Sequence, residues 1–201
     1  NKKVKKVVIK NGVTSVSDKA FYKCKNLSKV TIGKSVKKIG IDSFNGTKIK
    51  KVTVPKKVKE IGQDAFNNCK QLENITLPGK YRLKKKEGDD ANDTIMYGST
   101  PDTVTFSTSI DLKTVTYVNS YAFAVSANDK NYTSKSGLIY TKDGKTLVRV
   151  PAETKELSID EGCENFALQS ILYGTYSDGD VIVACDKLEK IRIPASVKKI
   201  N

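Results

Sequence analysis

The stretch LSKVTIGKSVKKIGIDSFNGT, residues 27–47, decides the fold. Its apolar residues Leu27, Val30, Ile32, Val36, Ile39 and Phe44 stand at successive offsets of 3, 2, 4, 3 and 5. The same ladder stands before it as Val4, Val7, Ile9, Val13, Val16 and Phe21, and after it as Ile49, Val52, Val54, Val58, Ile61 and Phe66. A further copy starts at Leu72, Ile75 and Leu77, and another closes the chain as Leu188, Ile191, Ile193, Val197 and Ile200. Corresponding positions in the first three copies lie 22 or 23 residues apart. A fixed period of this length is the signature of a repeat architecture, in which each copy is one winding of a coil.

The offsets have a physical reading. Residues two apart on a strand share a face, so Val30 and Ile32 point inward while Thr31 points out. Strands of successive windings then lie side by side at roughly 4.8 Å in a parallel sheet. The second apolar pair, Val36 and Ile39, opens the return path after a turn at Gly33, or at Pro55 in the next copy. A small residue followed by Phe (Ala20–Phe21, Ser43–Phe44, Ala65–Phe66) is expected on a short helical or 3-10 segment that fills the far side. One winding cannot bury its own apolar face, and stacking makes the core.

The copies LSKVTIGKSVKKIGIDSFNGT and LENITLPGK resemble the BspA-like leucine-rich repeat family of bacterial surface proteins. The stretch NYTSKSGLIYTKDGKTLVRVP, residues 131–151, looks like the strand–turn–strand excursion found between repeats in that family. The turn Lys142-Asp143-Gly144-Lys145 between apolar strands is also a hairpin signal on its own grounds. The resemblance implies a leucine-rich repeat solenoid, a right-handed β/α superhelix whose parallel β-sheet is backed by short helical or 3-10 return segments. It also implies an exported, surface-located protein that acts in adhesion or binding.

Along the chain the reading is one solenoid fragment over residues 1–201. Residues 1–78 are regular repeats, and 79–111 keep no ladder and read as an irregular loop or degenerate repeat. Residues 112–156 hold a strand (Leu112, Val115, Tyr117) and the hairpin excursion. Over 157–201 the repeats resume through Leu157, Ile159, Cys163, Phe166 and Ile171, with an insert at about 172–184. The ladder is already under way at Asn1 and still running at Asn201, so the chain reads as a piece of a longer protein. No run approaches the ~18 apolar residues of a membrane span, and no charged-then-apolar leader stands at the N-terminus.

The 201 residues include no His, which removes the usual general base, the usual imidazole metal ligand and the His-paired nucleophiles together. Carboxylate pairs can cleave glycosides, but Asp89, Asp90, Asp93, Asp178 and Asp180 sit in polar loops without apolar neighbours. The chain is therefore read as a non-enzyme without cofactor or metal. The loops EGDDAND and SDGD could gather oxygens for Ca²⁺, yet neither matches a known Ca²⁺ loop and both suit solvated turns. Cys24, Cys69 and Cys185 each precede a repeat-opening Leu by three residues, and Cys163 takes the inward slot held by Val36 elsewhere. Two windings separate Cys24 from Cys69, roughly 10 Å by strand spacing and beyond the ~7 Å limit of a bridge. Buried free thiols are expected.

The net charge of +14 is uneven: residues 1–87 carry 24 Lys/Arg against 6 Asp/Glu, while residues 88–201 carry 12 against 16. On the regular repeats the outward strand positions read Lys6, Lys29, Lys51 and Asn74, then Val8, Thr31, Thr53 and Thr76. Lys37, Lys38, Lys56, Lys57 and Lys59 extend the basic surface around the turn. Stacked in register, Lys6, Lys29 and Lys51 with Thr31, Thr53 and Thr76 make a candidate binding face for a protein, an acidic glycan or a wall polymer. Solvated lysines that bind nothing are the alternative, which would make the chain a structural spacer. Nucleic acid would suit the charge, but the basic half offers mainly Tyr22 and Tyr81 for base stacking. The isolated fragment is expected to be a monomer.

Overall fold

The computed structural model describes residues 3–88, 94–96, 98–115, 118, 120–166, 185 and 187–201. Most windings contribute two short strands, one in a row of mostly longer strands and one in a row of mostly shorter strands. They are β1 (Lys6–Ile9) and β2 (Ser15–Val16), β3 (Lys29–Ile32) and β4 (Lys38–Ile39), then β5 (Lys51–Thr53) and β6 (Glu60–Gly62). The series continues with β7 (Asn74–Leu77), β8 (Arg82–Lys84), β9 (Thr103–Phe106), the single helical turn α1 (Leu112–Val115) and β10 (Ala122–Val125). An excursion of three strands follows: β11 (Tyr132–Lys135), β12 (Leu138–Thr141) and β13 (Thr146–Arg149). The windings resume in β14 (Glu156–Ser158), β15 (Asn165–Phe166), β16 (Lys190–Arg192) and β17 (Lys199–Ile200).

All pairings between windings are parallel. The longer strands pair as β1-β3, β5-β7-β9-β10 and β14-β16, and the shorter ones as β2-β4-β6-β8 and β13-β15-β17. Val7 lies opposite Val30, and Val52 opposite Ile75, itself opposite Val104. Strand β3 buries Val30 and Ile32 and exposes Lys29 and Thr31, the alternation its sequence dictates. The chain is thus a leucine-rich repeat solenoid.

The return path is not helical in the first three windings. In winding two the N–H groups of Ser43, Asn45 and Thr47 bond three residues back, to Gly40, Asp42 and Phe44. Those of Asp42, Phe44 and Gly46 bond instead to the carbonyls of Gln63, Ala65 and Asn67 in the next winding. Every second donor therefore ties one winding to its neighbour. The alternation needs left-handed residues at two repeating places, Lys19, Asp42 and Asp64 (φ 56, 54 and 59°), then Lys23, Gly46 and Asn68 (φ 54, 72 and 53°). It also stacks the rings: Phe21 lies 5.3 Å from Phe44, and Phe44 lies 5.4 Å from Phe66, near parallel.

The ladder does not fail over 79–111, as the sequence reading expected. Leu83 of β8 lies opposite Ile61, the Phe66 N–H bonds to the Ile95 carbonyl at 2.7 Å, and β9 joins the longer row. Pro101, Val104, Phe106 and Ile110 repeat the offsets 3, 2 and 4, and all are buried. Pro101 stands where other copies carry Val, Leu or Ile, and this hid the copy. The strand expected through Leu112, Val115 and Tyr117 is α1, the return of that winding; Tyr117 lies outside the described residues, as do Ile171 and the insert at 172–184. Lys142–Lys145 does turn β12 into β13, and a second tight turn at Ser136 and Gly137, both at positive φ, adds a third strand to the excursion. In the last winding Ile191, Ile193 and Ile200 occupy inward ladder positions yet are exposed, because no further described winding covers them.

Strand β8 clamps the shorter row by charge. Arg82 pairs with Glu60, Lys84 with Asp18 at 2.8 Å, and Lys86 just beyond the strand with both Asp64 and Asp42, the latter at 3.3 Å. Burial works against the Lys86 ammonium, but the two carboxylates outweigh it and raise its pKa above the ordinary value.

Candidate functional site

The outward rows of β3, β5 and β7 line a cleft of about 810 Å³. Its floor is the threonine column. Thr53 lies opposite Thr76, and Thr76 opposite Thr105, while Thr31 occupies the same place on β3. These residues face out because their neighbours Val30, Val52, Ile75 and Val104 face in. Val8 takes the position beside Thr31 in winding one, so the hydroxyl row begins at β3.

Lysines flank the column on both sides. At the leading end of the strands, Lys6 lies opposite Lys29 in register, and Lys51 opposite Asn74. At the trailing end, Lys34, Lys56 and Lys57 follow the turns and line the cleft. Of the residues read from sequence, Thr31, Lys51, Thr53 and Thr76 line the cleft; Lys6 and Lys29 are exposed on the same row beside it. Strands β3 and β5 are adjacent but not paired; the Lys48 N–H bonds to the Leu27 carbonyl at 2.9 Å just before them. Lys6 and Lys29 therefore form one registered pair, and Lys51 begins a second sheet.

Sequence reasoning missed Lys34, Ser107 and Glu73. The period-two pattern gives the strand positions, whereas Lys34 and Ser107 enter the lining from turns. The Glu73 carboxylate sits 3.5 Å from the Lys50 ammonium and 3.8 Å from that of Lys51. It is an anion beside a cleft whose lining residues are cationic or neutral. No aromatic residue lines the cleft, and the exposed aromatics among the described residues are Tyr22 and Tyr121, both elsewhere.

Residues 1–87 match the family model of the BspA type leucine rich repeat region in 6 copies. This part of the chain is similar to that family. The matched residues contain the whole lysine and threonine face except Thr105 and Ser107. A search of curated proteins finds no match. Among solved structures, a leucine-rich repeat protein from Eubacterium ventriosum ATCC 27560 is similar over 98% of this chain and 50% of its own, at 22% identity and a TM-score of 0.54. One from Bacteroides ovatus ATCC 8483 is similar over 99% and 45%, at 16% identity and a TM-score of 0.50. The pneumococcal vaccine antigen PcpA is similar over 96% and 52%, at 14% identity and a TM-score of 0.49. At these identities the likeness to the first two is one of fold, and the chain spans about half the length of the structures it matches.

No group of three or more Cys, Asp or Glu that could hold a metal ion occurs among the described residues. The loop carboxylates Asp89, Asp90, Asp93, Asp178 and Asp180 lie outside them. Cys24, Cys69, Cys163 and Cys185 are buried thiols outside any disulfide, and burial pushes the Cys69 thiol above its ordinary pKa. No helix among the described residues is long and apolar enough to cross a membrane.

Proposed function

We propose that this chain is a non-catalytic binding or adhesion module of an exported or cell-surface bacterial protein, presenting the basic strand face of its solenoid to a protein or an acidic glycan. The observation that carries the reading is the cleft itself. Adjacent parallel strands of two sheets set threonine hydroxyls in a column between two rows of ammonium groups, within a half that holds 24 Lys/Arg against 6 Asp/Glu. Such a surface concentrates anionic partners over about a Debye length, ~8 Å at physiological salt. The absence of His and the match of residues 1–87 to a repeat family support a scaffold rather than a catalyst. The resemblance to bacterial surface proteins supports the location.

The test is a titration of the purified chain against matrix proteins, acidic glycans and duplex DNA at two salt concentrations. Saturable binding that weakens with salt is expected, and it is lost in the variant K6E/K29E/K51E. A chain that binds nothing in the panel is a spacer. Affinity unchanged in that variant removes this face from the function, and binding to DNA alone places the chain in a different class.

A further inference from the structure

Resting on that reading, we infer that the cleft takes a linear acidic polysaccharide, laid across the strands rather than along them, with Glu73 acting as its built-in competitor. Three features of the surface select this ligand class.

The first is repetition. Thr31, Thr53 and Thr76 offer one hydroxyl per strand, and Ser107 lies beyond them past the end of β9. Four strand positions at roughly 4.8 Å spacing span about 14 Å, enough for a short run of sugar units. A surface that offers the same group at each step matches a ligand that repeats the same group at each step. The second is charge on both margins, from Lys51 on one side and Lys34, Lys56 and Lys57 on the other. A chain lying along the threonine column has carboxylate or sulfate groups reaching ammonium groups to either side, while its hydroxyls exchange hydrogen bonds with the threonines.

The third is what the lining lacks. A neutral glycan would need an aromatic platform, and so would the bases of a single-stranded nucleic acid. A protein partner would draw its strongest contacts from aromatic anchors. None lines this cleft. Between the aliphatic edges of Val30, Ile32, Val52, Val54 and Pro55 the lining offers ammonium and hydroxyl groups, which pair with the anionic and hydroxyl groups of an acidic polysaccharide. Within the chain, Glu73 already engages Lys50 and Lys51. A ligand anion has to displace it from Lys51, so removing its charge frees the cation.

The experiment measures binding of polygalacturonate, heparin, dextran, galacturonic acid monomer and duplex DNA. The proteins are the whole chain and the variants K51E/K56E, T31V/T53V/T76V and E73Q, each checked for an unchanged far-UV spectrum and melting temperature. Valine keeps the β-branched shape of threonine on the strand, so the triple variant tests the hydroxyls alone. Polygalacturonate or heparin is expected to bind, with affinity rising with oligomer length, while dextran and the monomer do not. K51E/K56E loses the binding, the threonine triple weakens it, and E73Q tightens it by about two- to fivefold, the range of an exposed ion pair. Polyanion binding that is indifferent to the threonine triple and to E73Q overturns the inference, as does DNA bound as tightly as polygalacturonate. A matrix protein bound through the same lysines, with no polysaccharide bound, overturns it and leaves the broader adhesion reading standing.

Discussion

Phe44 is the side chain on which the stacking of the basic half can be tested most sharply. It is 0% exposed and lies between two rings, Phe21 at 5.3 Å and Phe66 at 5.4 Å. Truncating a buried Phe to Ala costs about 3–5 kcal/mol through lost transfer energy and the cavity left behind. Each aromatic neighbour adds about 0.5–1.5 kcal/mol beyond area burial. With both ring faces occupied, Phe44→Ala belongs at the upper end, about 4–5 kcal/mol. Phe21 is half-buried and stacks on Phe44; Phe21→Ala should cost about half as much. Urea unfolding followed by far-UV circular dichroism reads the difference. At a slope of about 2 kcal/mol per molar, the midpoint falls by roughly 2 M for Phe44 and 1 M for Phe21. Hydrogen exchange adds a local readout, since the Phe44 and Gly46 amides bond across to the next winding and should lose protection first. Equal costs for the two variants, or a Phe44→Ala cost below about 2 kcal/mol, would refute the picture of windings held by a continuous aromatic column.

Other outcomes follow from particular contacts. Gly62→Ala places a Cβ 2.2 Å from the Ile41 nitrogen and 2.5 Å from the Gly40 carbonyl carbon, so the variant should be insoluble or melt far below the parent; a normal melt would show the windings are not so close. Asp18 is held below its ordinary pKa of 3.8, first by the hydrogen bond from Lys84 and also by the Ile41 N–H, against the opposing effect of burial. Its contribution is therefore present above that value and lost as pH falls through the lowered one. Asp18→Asn should cost under about 1 kcal/mol at pH 7, and the gap should close in acid; a gap that widens in acid contradicts the assignment. In a thiol titration of the native chain the four buried cysteines should stay silent and react together in denaturant; rapid native labelling would mean a looser core.

The windings are legible from sequence because inward aliphatics recur at fixed offsets, and Val30, Val52 and Ile75 are core residues on neighbouring coils. What stayed hidden has physical reasons. Pro101 can stand at the head of a strand as Leu does, so a search keyed to aliphatics passes over Val104, Phe106 and Ile110 behind it. The spacing also changes there: Phe123 of β10 lies opposite Val104 only 19 residues earlier, with α1 closing the shorter loop. The return segments could not be read as left-handed turns, since Lys19, Lys23 and Asp42 are not glycines and their conformation is imposed by hydrogen bonds to the next winding. Lys86 meets Asp42 and Asp64 across windings, a meeting no local pattern announces. For the candidate site, the threonines and Lys51 followed from strand alternation, while Lys34 and Glu73 depend on where turns and strand edges fall.

The alternation along β3, β5 and β7 also separates two kinds of selection. Residues 30, 52 and 75 answer to the packing of their neighbours, whereas 29, 31, 51 and 53 are exposed and 76 is half-buried. Substitution at the second set leaves the interior intact, so stability and specificity can drift independently. A lineage could rewrite this surface residue by residue without ever passing through an unfolded intermediate sequence.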